Sequence, residues 1–175
     1  PELFKDKAYN DLELEIGFNE KLTRPTVIAQ MISLLKPKLG GKYLDIGTGS
    51  GYFAMVMGYT VGPEGKVYTI ERIQWLWEMA RSASTKYKDI KNVTYLYRDG
   101  LTGLPEQAPF NGIHIGFALD EVPDNIKMQL DVNAGRLICP TTSHDIRLVE
   151  RHGIDEFVEE IIPGFIFQKG KEGTA

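Results

Sequence analysis

The sequence contains a single cysteine, Cys139, among 175 residues. One thiol cannot form an intrachain disulfide, a feature that is typical of chains in a reducing cytoplasm. Cys139 lies in the apolar run L-I-C-P at 137–140, which favours a core residue over a nucleophile. The cysteine usage therefore predicts a cytoplasmic protein without disulfides.

Other features are equally scarce, and each absence argues against a class of function. The three histidines, His114, His144 and His152, are scattered without a ligand pair at metal-site spacing, so no metal site is predicted. The net charge is −4, whereas nucleic-acid-binding proteins typically carry an excess of basic residues. No apolar run is long enough to span a membrane, and no signal peptide is visible. The glycines around Ser50 do not form the G-x-S-x-G elbow of a serine hydrolase.

A glycine-rich segment, K-Y-L-D-I-G-T-G-S-G-Y at 42–52, stands out against this background. Its apolar start predicts a short buried strand, and a helix is expected to begin near Gly51. Gly47, Gly49 and Gly51 let the backbone turn sharply and approach a ligand closely. The first amides of the helix and its positive dipole end would face that ligand. The segment therefore predicts a nucleotide-sized binding site.

Three acids refine the identity of the ligand. Tyr52 stands where a dinucleotide-binding G-x-G-x-x-G motif needs its last glycine, which argues against NAD. Asp45 precedes the glycines, Glu71 ends the apolar run 67–70, and Asp99 follows the run 93–97. Because ligands bind at the carboxyl ends of parallel strands, the three acids point to one crevice that fits S-adenosylmethionine. In the alternative interpretation, these acids merely cap helices.

The remaining pattern alternates strands and helices and predicts one doubly wound α/β domain over residues 1–175. We expect residues 1–20 to be irregular, Thr23 to cap a helix with Pro25 in its first turn, and His114 to be a core residue. Further helices are expected after the glycines, over 73–87 and over 122–130. The expected strands are 43–46, 67–70, 93–97, 112–118 and 135–140, with late strands at 146–150 and 164–168.

Several longer motifs support a family resemblance. They are L-D-I-G-T-G-S-G-Y at 44–52, Y-T-I-E-R at 68–72, R-D-G at 98–100, G-L-P-E-Q-A-P-F at 103–110, A-Y-N-D-L-E-L-E-I-G at 8–17, A-G-R-L-I-C-P at 134–140 and P-G-F-I-F at 163–167. With these motifs the chain resembles the protein-L-isoaspartate (D-aspartate) O-methyltransferase family along most of its length. The N-terminal helices of that family would lie before Pro1.

The resemblance implies a seven-stranded, mostly parallel Rossmann-like methyltransferase sheet with helices on both faces and antiparallel late strands. It also implies methyl transfer from S-adenosylmethionine to the α-carboxylate of isoaspartyl residues in damaged proteins. Residues 1–24 would form a lead-in on the substrate side, where Thr23 would orient the carboxylate. The implied cofactor-binding residues are Asp45, Gly47, Thr48, Gly49, Ser50, Gly51, Glu71, Arg72, Asp99 and Gly100.

Two segments depart from the family pattern. The substrate loop usually resembles G-x-G-x-T-I-S-x-P, whereas residues 17–25 read G-F-N-E-K-L-T-R-P, so Thr23 keeps a hydroxyl while Lys21 and Arg24 add cations. Each cation either pairs with a carboxylate or lies in solvent. A small-residue run similar to V-T-A-A-A-P has become I-G-F-A-L-D at 115–120, where Phe117, Leu119 and Asp120 would alter the pocket.

These departures leave two alternatives to isoaspartyl methylation open. The chain is either a methyltransferase that acts on a small molecule, another peptide or RNA, or a cofactor-binding relative that is not catalytic.

Overall fold

A computed structural model of the chain describes residues 6–7, 10–171 and 173. Ala8 and Tyr9 of the family-like segment 8–17, and residues 1–5 of the predicted lead-in, lie outside this part of the chain. The lead-in contains a hairpin of strands β1 (Leu14–Gly17) and β2 (Glu20–Leu22). The expectation of an irregular segment was therefore wrong from residue 14 onward, where the hairpin lies. The two central residues of the hairpin turn, Phe18 and Asn19, both have positive φ. Neither of them is glycine, the residue that most readily adopts this conformation.

The central sheet has seven strands in the order β5-β4-β3-β6-β7-β8-β9. The pairs from β5 to β7 are parallel, whereas β8 runs antiparallel to both of its neighbours. This arrangement confirms the predicted fold class. The strands are β3 (Lys42–Ile46), β4 (Lys66–Glu71), β5 (Val93–Tyr97), β6 (Gly112–Ile115), β7 (Gly135–Pro140), β8 (Asp145–Arg151) and β9 (Phe157–Pro163).

Helices cover both faces of this sheet. Buried residues of two helices join one face in a common core, and residues around a short helix cover the other face. The described helices are α1 (Pro25–Leu35), α2 (Tyr52–Val61), α3 (Gln74–Ser84) and α4 (Asp124–Lys127), with a 3-10 turn at Pro105–Gln107. None of the helices in the described part of the chain is long and apolar enough to cross a membrane.

The start of α1 differs from the prediction. Arg24, not Thr23, is the N-cap residue, and Pro25 occupies the first turn as expected. The side chain that serves this end comes from outside the helix, because an Asp11 carboxylate oxygen accepts from the Thr26 amide at 3.0 Å. A distant acid therefore replaces the local cap that the sequence pattern indicated.

The last strand also lies elsewhere than expected. β9 pairs with β8 from Asp145↔Pro163 to Arg151↔Phe157, so the predicted strand at 164–168 was wrong. The alternating apolar pattern of 164–168 has a different cause, because Phe165 and Phe167 pack against the core that contains α1. Residues 164–168 instead lead back to the end of β6, where the Ala118 amide donates to the Gln168 carbonyl at 2.7 Å.

Cys139 is fully buried on β7, as its apolar neighbours predicted. Burial is the main cause that raises the pKa of its thiol to about 12. We therefore expect Ellman's reagent to leave the native protein unmodified at mildly alkaline pH and to titrate one thiol after unfolding in guanidinium chloride. Rapid labelling of the native protein would contradict this placement of Cys139.

Candidate active site

The glycine-rich loop joins β3 to α2 at the carboxyl edge of the sheet. Gly47, Gly49 and Gly51 have φ values of 97°, 54° and 82°, a region that side chains with a Cβ rarely adopt. The amides of Gly47 and Thr48 both donate to the Ile70 carbonyl, at 2.9 and 3.1 Å. The neighbouring strand β4 thus holds the loop in its turn.

A row of polar side chains lies buried beneath this loop. Asp45 on β3 is opposite Thr69 on β4 and His114 on β6 in the sheet register. One Asp45 carboxylate oxygen accepts from the Thr69 hydroxyl at 2.7 Å, and the other lies 2.7 Å from His114 Nδ1. The Thr48 hydroxyl extends the row, at 2.6 Å from that of Thr69. Asp45 is fully buried and therefore supports the loop from below rather than lining the cavity above it.

His114 is a core residue, as its isolation in an apolar strand predicted. Its ring stacks on Phe53 of α2, with 3.7 Å between ring centroids and an interplanar angle of 11°. The Asp45 carboxylate engages one ring nitrogen, while the buried Nε2 lacks a partner within the described part of the chain. Asp45 and His114 therefore form a buried polar pair between the neighbouring strands β3 and β6.

Glu71 joins the end of β4 to the glycine loop. Its carboxylate accepts from the amides of Gly49, Arg72 and Ile73, each at 2.9 Å. Burial raises the pKa of the Glu71 carboxyl above its ordinary value, and these amides oppose the shift. The carboxylate is thus fixed in position at the floor of a cavity, where Oε2, which accepts from the Gly49 amide alone, can also accept from a ligand hydroxyl.

The cavity beside Glu71, here called the loop cavity, collects most of the predicted cofactor residues. Its walls include Gly47, Gly49, Glu71, Arg72, Asp99 and Gly100. Asp45, Thr48, Ser50 and Gly51 do not line it, because they lie below the loop or on its helix side. Six of the ten predicted cofactor-binding residues therefore line the loop cavity, and the other four lie behind its wall.

The far end of the loop cavity is partly covered by residues near the C-terminus. Lys169, Gly170 and Lys171 line it, and the Gly173 amide donates to an Asp99 carboxylate oxygen at 2.5 Å. Arg72 Nε donates to the Gly173 carbonyl at 2.6 Å. The cavity volume is about 90 Å³, below the roughly 300–1,000 Å³ typical of ligand pockets.

A second cavity, the hairpin cavity, lies between the β1–β2 hairpin and residues 164–168. It has a volume of about 440 Å³ and is lined by Thr23, Lys21 and Arg24 together with Phe165 and Phe167. Gln168 Nε2 donates to the Asn19 carbonyl at 2.7 Å and so ties the hairpin to the opposite wall. Lys21 Nζ lies 3.6 Å from a Glu13 carboxylate oxygen, and its side chain is 46% exposed. This cation therefore forms an ion pair and also contacts solvent.

The bulky replacements after β6 have separate environments. Phe117 and Leu119 both pack against the core around α4, but only Phe117 also lines the two cavities. Asp120 forms an ion pair with Lys169 at 2.8 Å and lines neither of the two cavities. Only Phe117 therefore alters the walls of the site, whereas the sequence pattern suggested three such residues.

Sequence reasoning missed the residues at 169–171, since a short K-G-K segment gives no local signal of a binding role. It also missed Glu20, which lines both cavities and lies on a hairpin that the pattern did not predict. Across residues 6–7, 10–171 and 173, no group of three His, Cys, Asp or Glu side chains could hold a metal ion.

A glycine loop at the carboxyl edge of a seven-stranded sheet, with acids at the ends of the next two strands, defines the class of Rossmann-like S-adenosylmethionine-dependent methyltransferases. The family model for protein-L-isoaspartate(D-aspartate) O-methyltransferase (PCMT) matches residues 1–167. The chain belongs to this family, whose methyl donor is S-adenosylmethionine. The family and cofactor predictions are thereby confirmed.

Individual relatives agree with this assignment. The chain is 34% identical to a protein-L-isoaspartate O-methyltransferase of Methanothermobacter thermautotrophicus, over 99% of this chain and 82% of the relative. A solved protein-L-isoaspartate O-methyltransferase structure matches with a TM-score of 0.86 at 26% identity, over 95% of this chain and 55% of that one. A Plasmodium falciparum beta-aspartate methyltransferase structure, in complex with S-adenosyl-L-homocysteine, matches the fold with a TM-score of 0.81 at 21% identity, over 95% and 83%.

Proposed function

We propose that this protein transfers a methyl group from S-adenosylmethionine to the α-carboxylate of isoaspartyl residues in damaged proteins or peptides. The observation that carries the proposal is the junction of the two cavities. The loop cavity and the hairpin cavity share Glu20, Lys21, Gly116 and Phe117 in their walls. A donor held on one side of the junction can therefore meet an acceptor held on the other.

The residues of the loop cavity fit S-adenosylmethionine. Gly47 and Gly49 lie in the wall of the loop cavity, where their backbone would contact the methionine portion, with Thr48, Ser50 and Gly51 shaping the turn and Asp45 supporting it from below. Glu71 would accept from the ribose hydroxyls. Asp99 and Gly100 would contact the adenine, with Arg72 at the same end. The residues beyond Gly170 must move aside for this contact, because the Gly173 amide donates a hydrogen bond to the Asp99 carboxylate.

The site contains the chemistry that carboxylate methylation needs. S-adenosylmethionine supplies an electrophilic methyl group, and a carboxylate with a pKa of about 4 is already an anion at neutral pH, so no general base is required. A carboxylate oxygen bonds to the methyl carbon while the methyl–sulfur bond breaks, which leaves a methyl ester and S-adenosylhomocysteine. The chain's task is to hold that oxygen in line and to exclude water. The ester then closes to a succinimide when the adjacent backbone amide nitrogen displaces methanol, and hydrolysis of the ring returns part of it to aspartate.

The surroundings of the site suggest the setting in which the protein works. We infer a reducing, cytoplasmic location, because the single thiol is buried and free. The acceptor is an isoaspartyl protein or peptide rather than nucleic acid, since the net charge of −4 offers no basic surface excess. We further propose that the lead-in serves the substrate side of a single domain through its hairpin at residues 14–22 and through Thr23.

Transfer of radiolabelled methyl groups tests the proposal directly. We expect label from S-adenosylmethionine in an isoaspartyl peptide and none in the matching aspartyl peptide, with cofactor binding measured by calorimetry on the same sample. Cofactor binding without label in the isoaspartyl peptide would instead favour another acceptor or a non-catalytic relative. Competing peptide, small-molecule and RNA acceptors would then separate those two outcomes.

Thr23 is the proposed contact to the acceptor carboxylate. Thr23→Val removes the hydroxyl at nearly constant volume, so we expect kcat/KM to fall by about tenfold or more, since a hydrogen bond to a charged group contributes roughly 1.5–3 kcal/mol. Cofactor affinity should stay close to that of the unmodified protein, because Thr23 lines the hairpin cavity and not the loop cavity. Thr23→Ser keeps the hydroxyl and is the matched control. An unchanged rate for Thr23→Val would remove Thr23 from the mechanism.

A further inference from the structure

Phe117 lies at the junction of the loop cavity and the hairpin cavity. Gly116 and Phe117, which follow β6, line both cavities, as do Glu20 and Lys21 of β2. A reaction across the two cavities therefore takes place beside these four residues. The side chain of Phe117 is the largest apolar group of the four, so it is the one with the volume to restrict a bulky acceptor.

Two glycines hold the Phe117 ring in place. A Cβ built on Gly47 would lie 3.1 Å from Phe117 Cδ1, and one built on Gly170 would lie 2.3 Å from Phe117 Cδ2. The ring thus packs closely against the backbone of a glycine on each side. A glycine has no side chain that could rotate away to make room for the ring. It has no room to swing toward either glycine, since close-packed interiors tolerate little added volume.

The segment that carries Gly170 is itself anchored. The Ala118 amide donates to the Gln168 carbonyl at 2.7 Å, and the Gly170 amide donates to the Ala118 carbonyl at 2.8 Å. Lys169 adds an ion pair with Asp120 at 2.8 Å. Residues 168–170 can therefore keep the ring in position even when the residues beyond them move away from Asp99.

We propose that Phe117 determines the acceptor specificity of this protein by narrowing the passage to the methyl group. Its ring admits a carboxylate next to a small peptide residue and clashes with a β-branched residue at the same place. The preferred acceptors are accordingly isoaspartyl peptides in which glycine follows the isoaspartyl residue. This inference rests on the proposed function and adds a size limit that the family assignment does not supply.

A pair of peptides that differ only in the residue after isoaspartate, glycine or valine, tests the inference. We expect the unmodified protein to prefer the glycine peptide by about tenfold or more in kcat/KM, since valine adds an isopropyl group and even one methylene against a pocket wall discriminates by about tenfold or more. Phe117→Ala should raise kcat/KM for the valine peptide and remove most of this preference. Phe117→Leu should give an intermediate ratio and keeps the test valid if the alanine variant folds poorly.

Leu119→Ala is the matched control, because it removes apolar volume two residues away without opening either cavity. Its peptide preference should equal that of the unmodified protein. A preference that is unchanged by both Phe117 variants, while methyl transfer continues, would overturn the inference and leave the proposed function intact.

Peptide affinity separates the two proposals when turnover fails. If neither peptide is methylated, the proposed function is wrong, and calorimetry with both peptides in the presence of S-adenosylhomocysteine decides the size limit alone. An affinity ratio of about tenfold or more that Phe117→Ala removes supports the role of Phe117. Equal affinities, or no binding of either peptide, overturn it.

Discussion

Replacing Asp45 by alanine is expected to lower the free energy of unfolding by about 3 kcal/mol, because it breaks a fully buried polar cluster from its centre. Asp45 accepts from the Thr69 hydroxyl and lies 2.7 Å from His114 Nδ1. Without the carboxylate, His114 Nδ1 stays buried without its partner, which costs roughly 1–3 kcal/mol, and the Thr69 hydroxyl keeps only its bond to Thr48. Urea unfolding followed by circular dichroism measures the change.

Asp89→Ala is the control for this prediction. Asp89 is an exposed aspartate in the turn region after α3, so its removal should change the unfolding free energy by no more than about 0.5 kcal/mol. A loss of less than about 1 kcal/mol for Asp45→Ala would mean that the cluster does not depend on its carboxylate. The loop above Asp45 would then be held mainly by its backbone bonds to Ile70.

Replacing Glu71 by alanine is expected to weaken S-adenosylmethionine binding by about 10-fold to 100-fold, since a hydrogen bond to a charged group contributes roughly 1.5–3 kcal/mol. The carboxylate would lose its contact with the ribose, and the Gly49 amide would lose its 2.9 Å acceptor. Isothermal titration calorimetry measures the affinity. Glu64→Ala, at an exposed turn between α2 and β4, is the control and should bind the cofactor normally. Unchanged affinity for Glu71→Ala would contradict the ribose contact.

The pH dependence of binding provides a second measurement on Glu71. Because burial raises the pKa of this carboxyl above its ordinary value of 4.5, protonation begins at a higher pH than for an exposed glutamate. A protonated carboxyl accepts fewer hydrogen bonds, so affinity should fall as the pH is lowered toward the raised pKa. Glu71→Gln cannot titrate there and should lack this part of the pH dependence. Parallel profiles for the two proteins would assign the effect to another group.

Much of the site could be predicted because its signals are local. The glycine loop needs positive φ at closely spaced positions, and Glu71 and Asp99 directly follow apolar strand patterns. Neighbouring strand ends meet at one edge of a parallel sheet, so these residues were expected near each other. The hairpin β1–β2 was not predictable in the same way, because Phe18 and Asn19 adopt positive φ without a glycine at the turn.

The late part of the chain shows why a pattern can indicate burial and still misplace a strand. Phe165 and Phe167 alternate with exposed residues as a strand would, yet they pack on the core beside α1 outside the sheet. β9 is an edge strand in which Val158 and Ile161 are largely exposed. Apolar and polar residues therefore do not alternate along it in the way that predicts a strand. Pairing with β8 decided between the two segments.

The sequence by itself determined the class of fold, the loop that can cradle a nucleotide-like ligand and the family to which the chain belongs. Those properties depend on backbone sterics, hydrophobic period and motifs within a few residues of one another. The tertiary structure alone decided that Asp45 lies beneath the loop, that the C-terminal residues reach Asp99, and that Phe117 rather than Leu119 faces the junction of the cavities. These placements depend on strand register and on packing between residues far apart in the chain, which no local pattern encodes.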